Sequence, residues 1–380
     1  MNQSMAAFYV STPTELEHLC QSLSKSPWLA LDTEFLREST YYPKFCLLQI
    51  AGQSELACVD PLLLSDLTPL WQLIYRPDKL KIFHAGRQDL EIFYHLHKKL
   101  PEPVFDTQLA AALLGYPKQV GYARLVEEVL GVSLAKDQSR TDWHKRPLRP
   151  EQLRYAADDV RYLGSLYLEL HWHLKQAGRL SWLDRLCSPL TDPVTYANPP
   201  EEAWRRVAGA SKLGGQELAI LKRLAAWREQ TAAASNCPRS WVAKDELLCL
   251  IAKLKPQTPK ALAQIKKVDK KLLNLHAETI CRLVAQTPAV ADTSRQQTVP
   301  SAEQSALLKL FEAIVYLQAA KHGLNPKALA SRAELTEFLI HPEAATLCQD
   351  WRREVVGQPL LDFLAGQKSL HIREGRPCLS

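Results

Sequence analysis

Apolar and polar positions change period along this chain, and the changes divide it into three regions. In the first, short apolar runs of strand length are interleaved with helical stretches. Phe8-Tyr9-Val10 is followed by Ser11-Thr12-Pro13-Thr14-Glu15, a helix start with proline near its first position. Trp28-Leu29-Ala30-Leu31 opens a strand predicted over 28–35, and similar runs predict strands at 45–50, 55–60 and 81–85. The three consecutive runs from 28 to 60, with short connections, suggest a meander. Helical patterns cover 62–75 and 87–98, and Val104-Phe105-Asp106 reads as a short strand leading into a helix that ends by Gly115. Strands followed by alternating strand and helix signals predict an α/β domain with a mixed sheet.

Beyond a proline-rich break at 191–203 the strand period disappears. Helices are predicted at 217–231, 244–252, 259–265 and 269–284, the first with a one-sided stripe of Leu218, Leu221, Leu224 and Ala225. A second break at 285–300 is rich in Thr, Gln, Ser and Pro, and helices are predicted again at 302–321, 331–340 and 347–356. The expected domains are 1–195, 204–290 and 300–376.

Charge changes this picture more than composition does. With 23% charged and 46% hydrophobic residues, the 380-residue chain has ordinary globular composition and is long enough for two or three cores. The net charge of +6 is concentrated: residues 201–300 hold 17 Lys and Arg against 9 Asp and Glu, whereas the two flanking regions are close to balanced. A localised positive segment suits a polyanion. Nine cysteines without a C-x-x-C pair argue for reduced thiols in the cytosol and against a zinc site. No run approaches a membrane span, so no membrane partner is expected.

The candidate chemistry begins where the first central strand stops being apolar. Asp32 and Glu34 are two apart, so on a strand they share one face with Cα atoms about 7 Å apart. Two such acids repel unless a cation lies between them, and a divalent ion with oxygen ligands suits them. A strand running out into solvent is the simpler alternative. Asp89, in the first turn after Gly86, is either a third site acid or a complement to the helix dipole. Tyr155 and Asp159 lie one helical turn apart on one face, with Asp158 rotated away. The polar stretch 136–148, including Ser139, Arg140, Trp143 and Arg146, is either a loop that touches a phosphate backbone or a solvated loop anchored by Trp143.

Together, Leu31-Asp32-Thr33-Glu34-Phe35, His84-Ala85-Gly86-Arg87-Gln88-Asp89-Leu90 and Tyr155-Ala156-Ala157-Asp158-Asp159 resemble the three motifs of the DEDD exonuclease superfamily, tyrosine subclass. Asp142-Trp143 with Arg146-Pro147-Leu148 is similar to the segment before the third motif in the ribonuclease D branch. The two helical regions resemble paired HRDC domains. Cys237-Pro238-Arg239-Ser240-Trp241-Val242 and Gly323-Leu324-Asn325-Pro326 stand at matching turns.

The resemblance implies a ribonuclease H-like exonuclease fold, a mixed sheet flanked by helices, followed by two all-α HRDC domains. It implies 3′→5′ hydrolysis of phosphodiester bonds with two divalent ions, Mg2+ or Mn2+. Asp32, Glu34, Asp89 and Asp159 become the metal ligands and Tyr155 the residue that positions the attacking water. A phenol with a pKa near 10 is a poor base at neutral pH, which suits orientation rather than proton abstraction. The implied partner is RNA, with 3′ ends of tRNA precursors and other structured RNAs as the family substrate, and a monomer carries every needed group. Phe35, which either stacks on a terminal base or packs in the core, His84, Trp143, Arg146, Lys266 and Lys270 are the expected RNA contacts. A DNA exonuclease and a non-catalytic RNA-binding scaffold are the alternatives.

Overall fold

The computed structural model describes residues 6–134, 141–290 and 301–380. Ser139 and Arg140 of the polar loop, and most of the second linker, lie outside the described residues.

The chain forms two compact units, one of residues 1–34, 45–192 and 300–380, the other of residues 35–44 and 193–299. In the first, β1 (Phe8–Val10) leads into α1 (Pro13–Leu23), whose capping box joins Thr12 and Glu15. The strands β2 (Trp28–Leu36), β3 (Lys44–Ala51) and β4 (Leu56–Val59) follow. After α2 (Thr68–Ile74) come β5 (Leu80–Phe83), α3 (Arg87–His97), β6 (Val104–Asp106) and α4 (Thr107–Ala112). The sheet order is β1-β4-β3-β2-β5-β6. β3 runs antiparallel to β4, while β1 with β4, β2 with β5, and β5 with β6 are parallel. The sheet is therefore mixed, and β2, β3 and β4 are neighbours as a meander requires.

Helices α5 (Tyr122–Leu130), α6 (Pro150–Arg161), α7 (Leu163–Gln176) and α8 (Leu180–Thr191) complete the α/β part. Trp28, Leu29, Ala30 and Leu31 at the start of β2 are all buried. Burying a leucine side chain stabilises by about 1.5–3 kcal/mol, so this run fixes the strand before its polar end is reached. Contact with α7 is close. A Cβ on Gly164 would lie 2.3 Å from the Trp28 ring, so only a glycine lets that helix approach.

The C-terminal region, α15 (Ala302–His322), α16 (Pro326–Leu329), α17 (Arg332–Ile340) and short turns to α19 (Gln358–Leu364), packs around Phe311 and Phe338, with ring centres 5.3 Å apart. It docks on the α/β part through a stacked pair, Trp182 and Trp351, with ring centres 4.5 Å apart. Arg179 donates to the carbonyls of Leu113 and His322 beside it. A hairpin, β7 (Leu370–Arg373) and β8 (Arg376–Leu379), ends the chain; its short strands carry too little periodicity to be read from sequence.

The second unit holds α10 (Gly215–Ala234), α11 (Arg239–Val242), α12 (Asp245–Leu254), α13 (Pro259–Ala263) and α14 (Lys270–Ala285) around Leu221, Leu224, Leu248, Ile251 and Ile280. The segment 35–44, expected within the first domain, packs here instead. Asn236 Oδ1 accepts from the amides of Tyr41 and Tyr42, and the Tyr41 hydroxyl donates to Glu229. The succession of a 20-residue helix, a 4-residue helix and a 10-residue helix in α10–α12 recurs as 21, 4 and 9 residues in α15–α17.

The close approach at Gly164 generates a prediction. Gly164→Ala should destabilise the protein by about 1–3 kcal/mol through overpacking against Trp28. Gly121→Ala, where an added Cβ meets nothing within 4 Å, should change stability by less than about 0.5 kcal/mol. Thermal or urea unfolding of the two variants checks the difference.

Candidate active site

Strand β2 carries its apolar run into the sheet interior and then presents Asp32 and Glu34 at its polar end. Helix α6 supplies the second wall. It starts at Pro150 with the Arg149 amide donating to Gln152 Oε1, and it buries Ala156, Ala157 and Val160. That burial turns Tyr155 and Asp159 onto a partly exposed face. Oxygen atoms of Asp32, Glu34 and Asp159 lie within 4.8 Å of one another. The structure thus brings together acids 125 residues apart in sequence. Asp158 turns away, as its helical phase predicts, and pairs with Arg161 at 2.7 Å.

Asp89 stands differently. It is buried in the first turn of α3 and is not in the three-carboxylate group. Its carboxylate accepts the hydroxyl of Thr33, the residue between the two strand acids. Burial raises the Asp89 pKa to about 6, against the pull of the Thr33 hydrogen bond. Asp32 is raised well above the usual carboxylate range, first by burial and then by the charges of Asp89, Asp159 and Glu34. Every charge named there is negative, so the arrangement favours either a proton or a cation. All these donors are carboxylate oxygens, the set that suits Mg2+ or Mn2+.

Residues the sequence reading passed over hold the acids in place. Asp106 is the N-cap of α4, accepting from the amides of Gln108 and Leu109, and it also accepts from Ala85 and Gly86. One carboxylate therefore fixes the turn from which α3 departs with Asp89, including Ala85 at a φ of 56°. The signal was present: an Asp-Thr pair between a strand and a helix is a capping pattern. Tyr122 donates to the Asp158 carbonyl at 2.9 Å and accepts from the Tyr162 amide, tying α6 to α5. Cys58, on β4, is 1% exposed. Burial, with the charges of Asp159 and Glu34 added, pushes its thiol up to about 12, so it stays protonated beside the acids.

Several expected RNA contacts prove to be internal supports. Trp143 is 2% exposed and packs 6.3 Å from the Tyr155 ring, so it anchors the loop rather than offering a stacking surface. Arg146 pairs with Asp60 and donates to the carbonyls of Trp143, Lys145 and Cys46, which commits its guanidinium within the protein. His84 has Nδ1 2.9 Å from the Thr107 hydroxyl and Nε2 2.9 Å from the Val120 carbonyl, and burial lowers its pKa. Phe35 is partly exposed at the end of β2, and Lys266 and Lys270 are exposed in the second unit.

Comparison with known proteins identifies the family. The 3′-5′ exonuclease family model matches residues 7–175, and the HRDC domain model matches 217–284. Ribonuclease D of Sphingobium indicum is 37% identical over 370 residues, 95% of each chain. The chain belongs to the ribonuclease D family. Ribonuclease D of Pseudomonas paraeruginosa is 36% identical, covering 94% of this chain and 97% of its own. The crystal structure of Escherichia coli RNase D, described as an exoribonuclease involved in structured RNA processing, superposes with a TM-score of 0.84 at 30% identity, covering 95% of this chain and 99% of that one. As a member of the ribonuclease D family, the chain is a hydrolytic 3′-5′ exoribonuclease acting on RNA. Among the described residues, no helix is long and apolar enough to cross a membrane.

The raised acids predict a pH-dependent response to metal. The raised pKa values of Asp32 and Asp89 cost the metal-free protein stability: the loss sets in as pH rises past the ordinary carboxylate value, about 4, and is complete above the folded value, about 6 for Asp89. A divalent ion must displace these protons, so its stabilisation grows as pH rises. Magnesium at 10 mM should raise the thermal midpoint more at pH 8 than at pH 5.5, as read by scanning fluorimetry; an equal or larger shift at pH 5.5 would contradict the assignment.

Proposed function

We propose that this ribonuclease D family member trims the 3′ ends of structured RNAs, tRNA precursors among them, one nucleotide at a time. The products are nucleoside 5′-monophosphates. The observation that carries this reading is the convergence of Asp32, Glu34 and Asp159, with Tyr155 one turn from Asp159 on the same helix.

In this reading Asp32, Glu34 and Asp159 hold two divalent ions, and Asp89, oriented by Thr33, completes the set. Two such ions would supply a lowered pKa for the attacking water and charge compensation for the leaving 3′ oxygen. Tyr155 orients the water through its hydroxyl. Trp143 behind it limits the positions the ring can take, so the hydroxyl is presented at little entropic cost. Phe35 packs against the terminal base, and exposed Lys266 and Lys270 attract RNA phosphates. The recurrence of the α10–α12 succession in α15–α17 supports reading residues 300–376 as a second HRDC-type module. One chain supplies every group, so the working form is a monomer, and cysteines that form no disulfide among the described residues suit the cytosol.

The test is hydrolysis of a 5′-labelled tRNA precursor bearing a 3′ extension. With magnesium, a ladder shortening from the 3′ end is expected, and chelator should abolish it. Asp32→Asn should lower the rate by about a hundred- to a thousandfold, the scale of losing a preorganised electrostatic stabiliser. Tyr155→Phe should reduce the rate while leaving RNA affinity in chelator unchanged. Faster cleavage of an equivalent single-stranded DNA would refute the RNA assignment.

A further inference from the structure

The basic unit contains a built cleft apart from the carboxylates. Its volume is about 590 Å³, and it is lined by Arg37, Arg206, Arg228, Arg239 and Lys244, with Asp245 as the sole carboxylate among the lining residues. All of it lies within the second unit, on the 35–44 segment, the turn before α10, α10 itself and α11–α12. Five cations around one hollow outnumber the two carboxylates, Glu229 and Asp245, that pair with three of them, so the hollow carries a positive potential.

The hydrogen bonding shows how the cations are fixed and what remains unmet. Glu229, 2% exposed, pairs with both Arg206 and Arg239 and accepts the Tyr41 hydroxyl. A single carboxylate thus orients two guanidinium groups that stay partly exposed, at 42% and 38% of their side chains. Arg228, 4% exposed, donates through Nη1 to the Ala243 carbonyl and to Asp245. Its Nε is buried without a protein partner. A guanidinium nitrogen buried without an acceptor is costly, and it belongs to a residue that lines the hollow. Planar, preorganised guanidinium forks suit phosphate oxygens better than a carboxylate or a chloride.

We propose that this cleft is a phosphate-binding site that holds a phosphodiester of the RNA chain other than the one being cleaved. The proposal rests on the exoribonuclease reading above and adds a second grip on the substrate, distinct from the exposed lysines of α13–α14. The buried Glu229 sets the spacing of the guanidinium groups in advance, so little ordering remains to be done on binding.

The experiment uses the full chain with a labelled hairpin RNA carrying a 12-nucleotide 3′ tail. Affinity is measured in chelator over a range of salt. Ser240 is exposed and lines the cleft, so Ser240→Glu adds a negative charge without removing a structural arginine. Ser240→Glu should weaken binding at least tenfold and reduce the salt slope by about 0.7, the value for one phosphate contact on a single strand. Lys244→Ala should weaken it several-fold, and Ser240→Gln should bind as the unmodified protein does.

Equal loss in Ser240→Gln and Ser240→Glu would mean bulk, not charge, and would overturn the proposal. So would unchanged affinity and salt slope in Ser240→Glu. Titration with inorganic phosphate separates the sources: phosphate binding lost in Ser240→Glu with RNA affinity intact would make the cleft a free-phosphate site and refute the RNA assignment. Absence of RNA hydrolysis by the unmodified protein would instead sink the exoribonuclease reading, leaving the affinity comparison to judge the cleft.

Discussion

Mutual repulsion among carboxylates at the end of β2 is the constraint around which this protein is arranged. Asp32, Glu34 and Asp159 place oxygens within 4.8 Å of one another, and Asp89 adds its charge to Asp32. Two like charges about 4 Å apart cost about 4 kcal/mol at the effective dielectric of a protein surface, so such a group does not form by drift. Packing elsewhere must hold it. The buried start of β2, the Trp28–Gly164 approach and the Asp106-capped turn fix the strand and the helices that deliver the acids.

The contrast with other acids in the same unit makes the arrangement specific. Asp60 is also buried, which pushes its pKa up, but Arg146 and the Tyr9 hydroxyl outweigh this and hold it below the usual range. Asp158, one residue from Asp159, is paired with Arg161. The fold therefore neutralises carboxylates with arginine where structure alone is at stake. At Asp32 the charges that raise the pKa are those of Asp89, Asp159 and Glu34, a carboxylate set that suits a divalent cation. The second unit shows the converse: cations gathered around a hollow, two of them oriented by the buried Glu229.

Much of this was legible in the sequence because it depends on short-range spacing. Strand period put Asp32 and Glu34 on one face, and helical phase separated Asp159 from Asp158. What escaped was set by distant contacts. Trp143 and Arg146 read as RNA-facing because a polar loop gives no sign that Asp60 and the Cys46 carbonyl wait beneath it. Segment 35–44 follows a sheet strand in sequence, yet Asn236 and Glu229, nearly 200 residues away, determine where it packs. Helix α5 and the terminal hairpin went unpredicted because neither carries a long periodic run. Asp106 lies in a capping pattern that was passed over, and nothing in its spacing marks it as the support of a second turn.

The central claim is that the site is electrostatically frustrated until a divalent ion binds. Thermal unfolding at pH 8 of the chelated protein and of Asp32→Asn tests it without reference to any substrate. Removing one of the repelling charges should raise the midpoint of the chelated protein by about 2–4 °C, the shift that ~1 kcal/mol makes in a domain of this size. The same substitution should abolish most of the further rise produced by magnesium. If chelated Asp32→Asn melts below the unmodified protein, or responds to magnesium as fully, the carboxylate is a structural partner and not a ligand kept waiting for its ion.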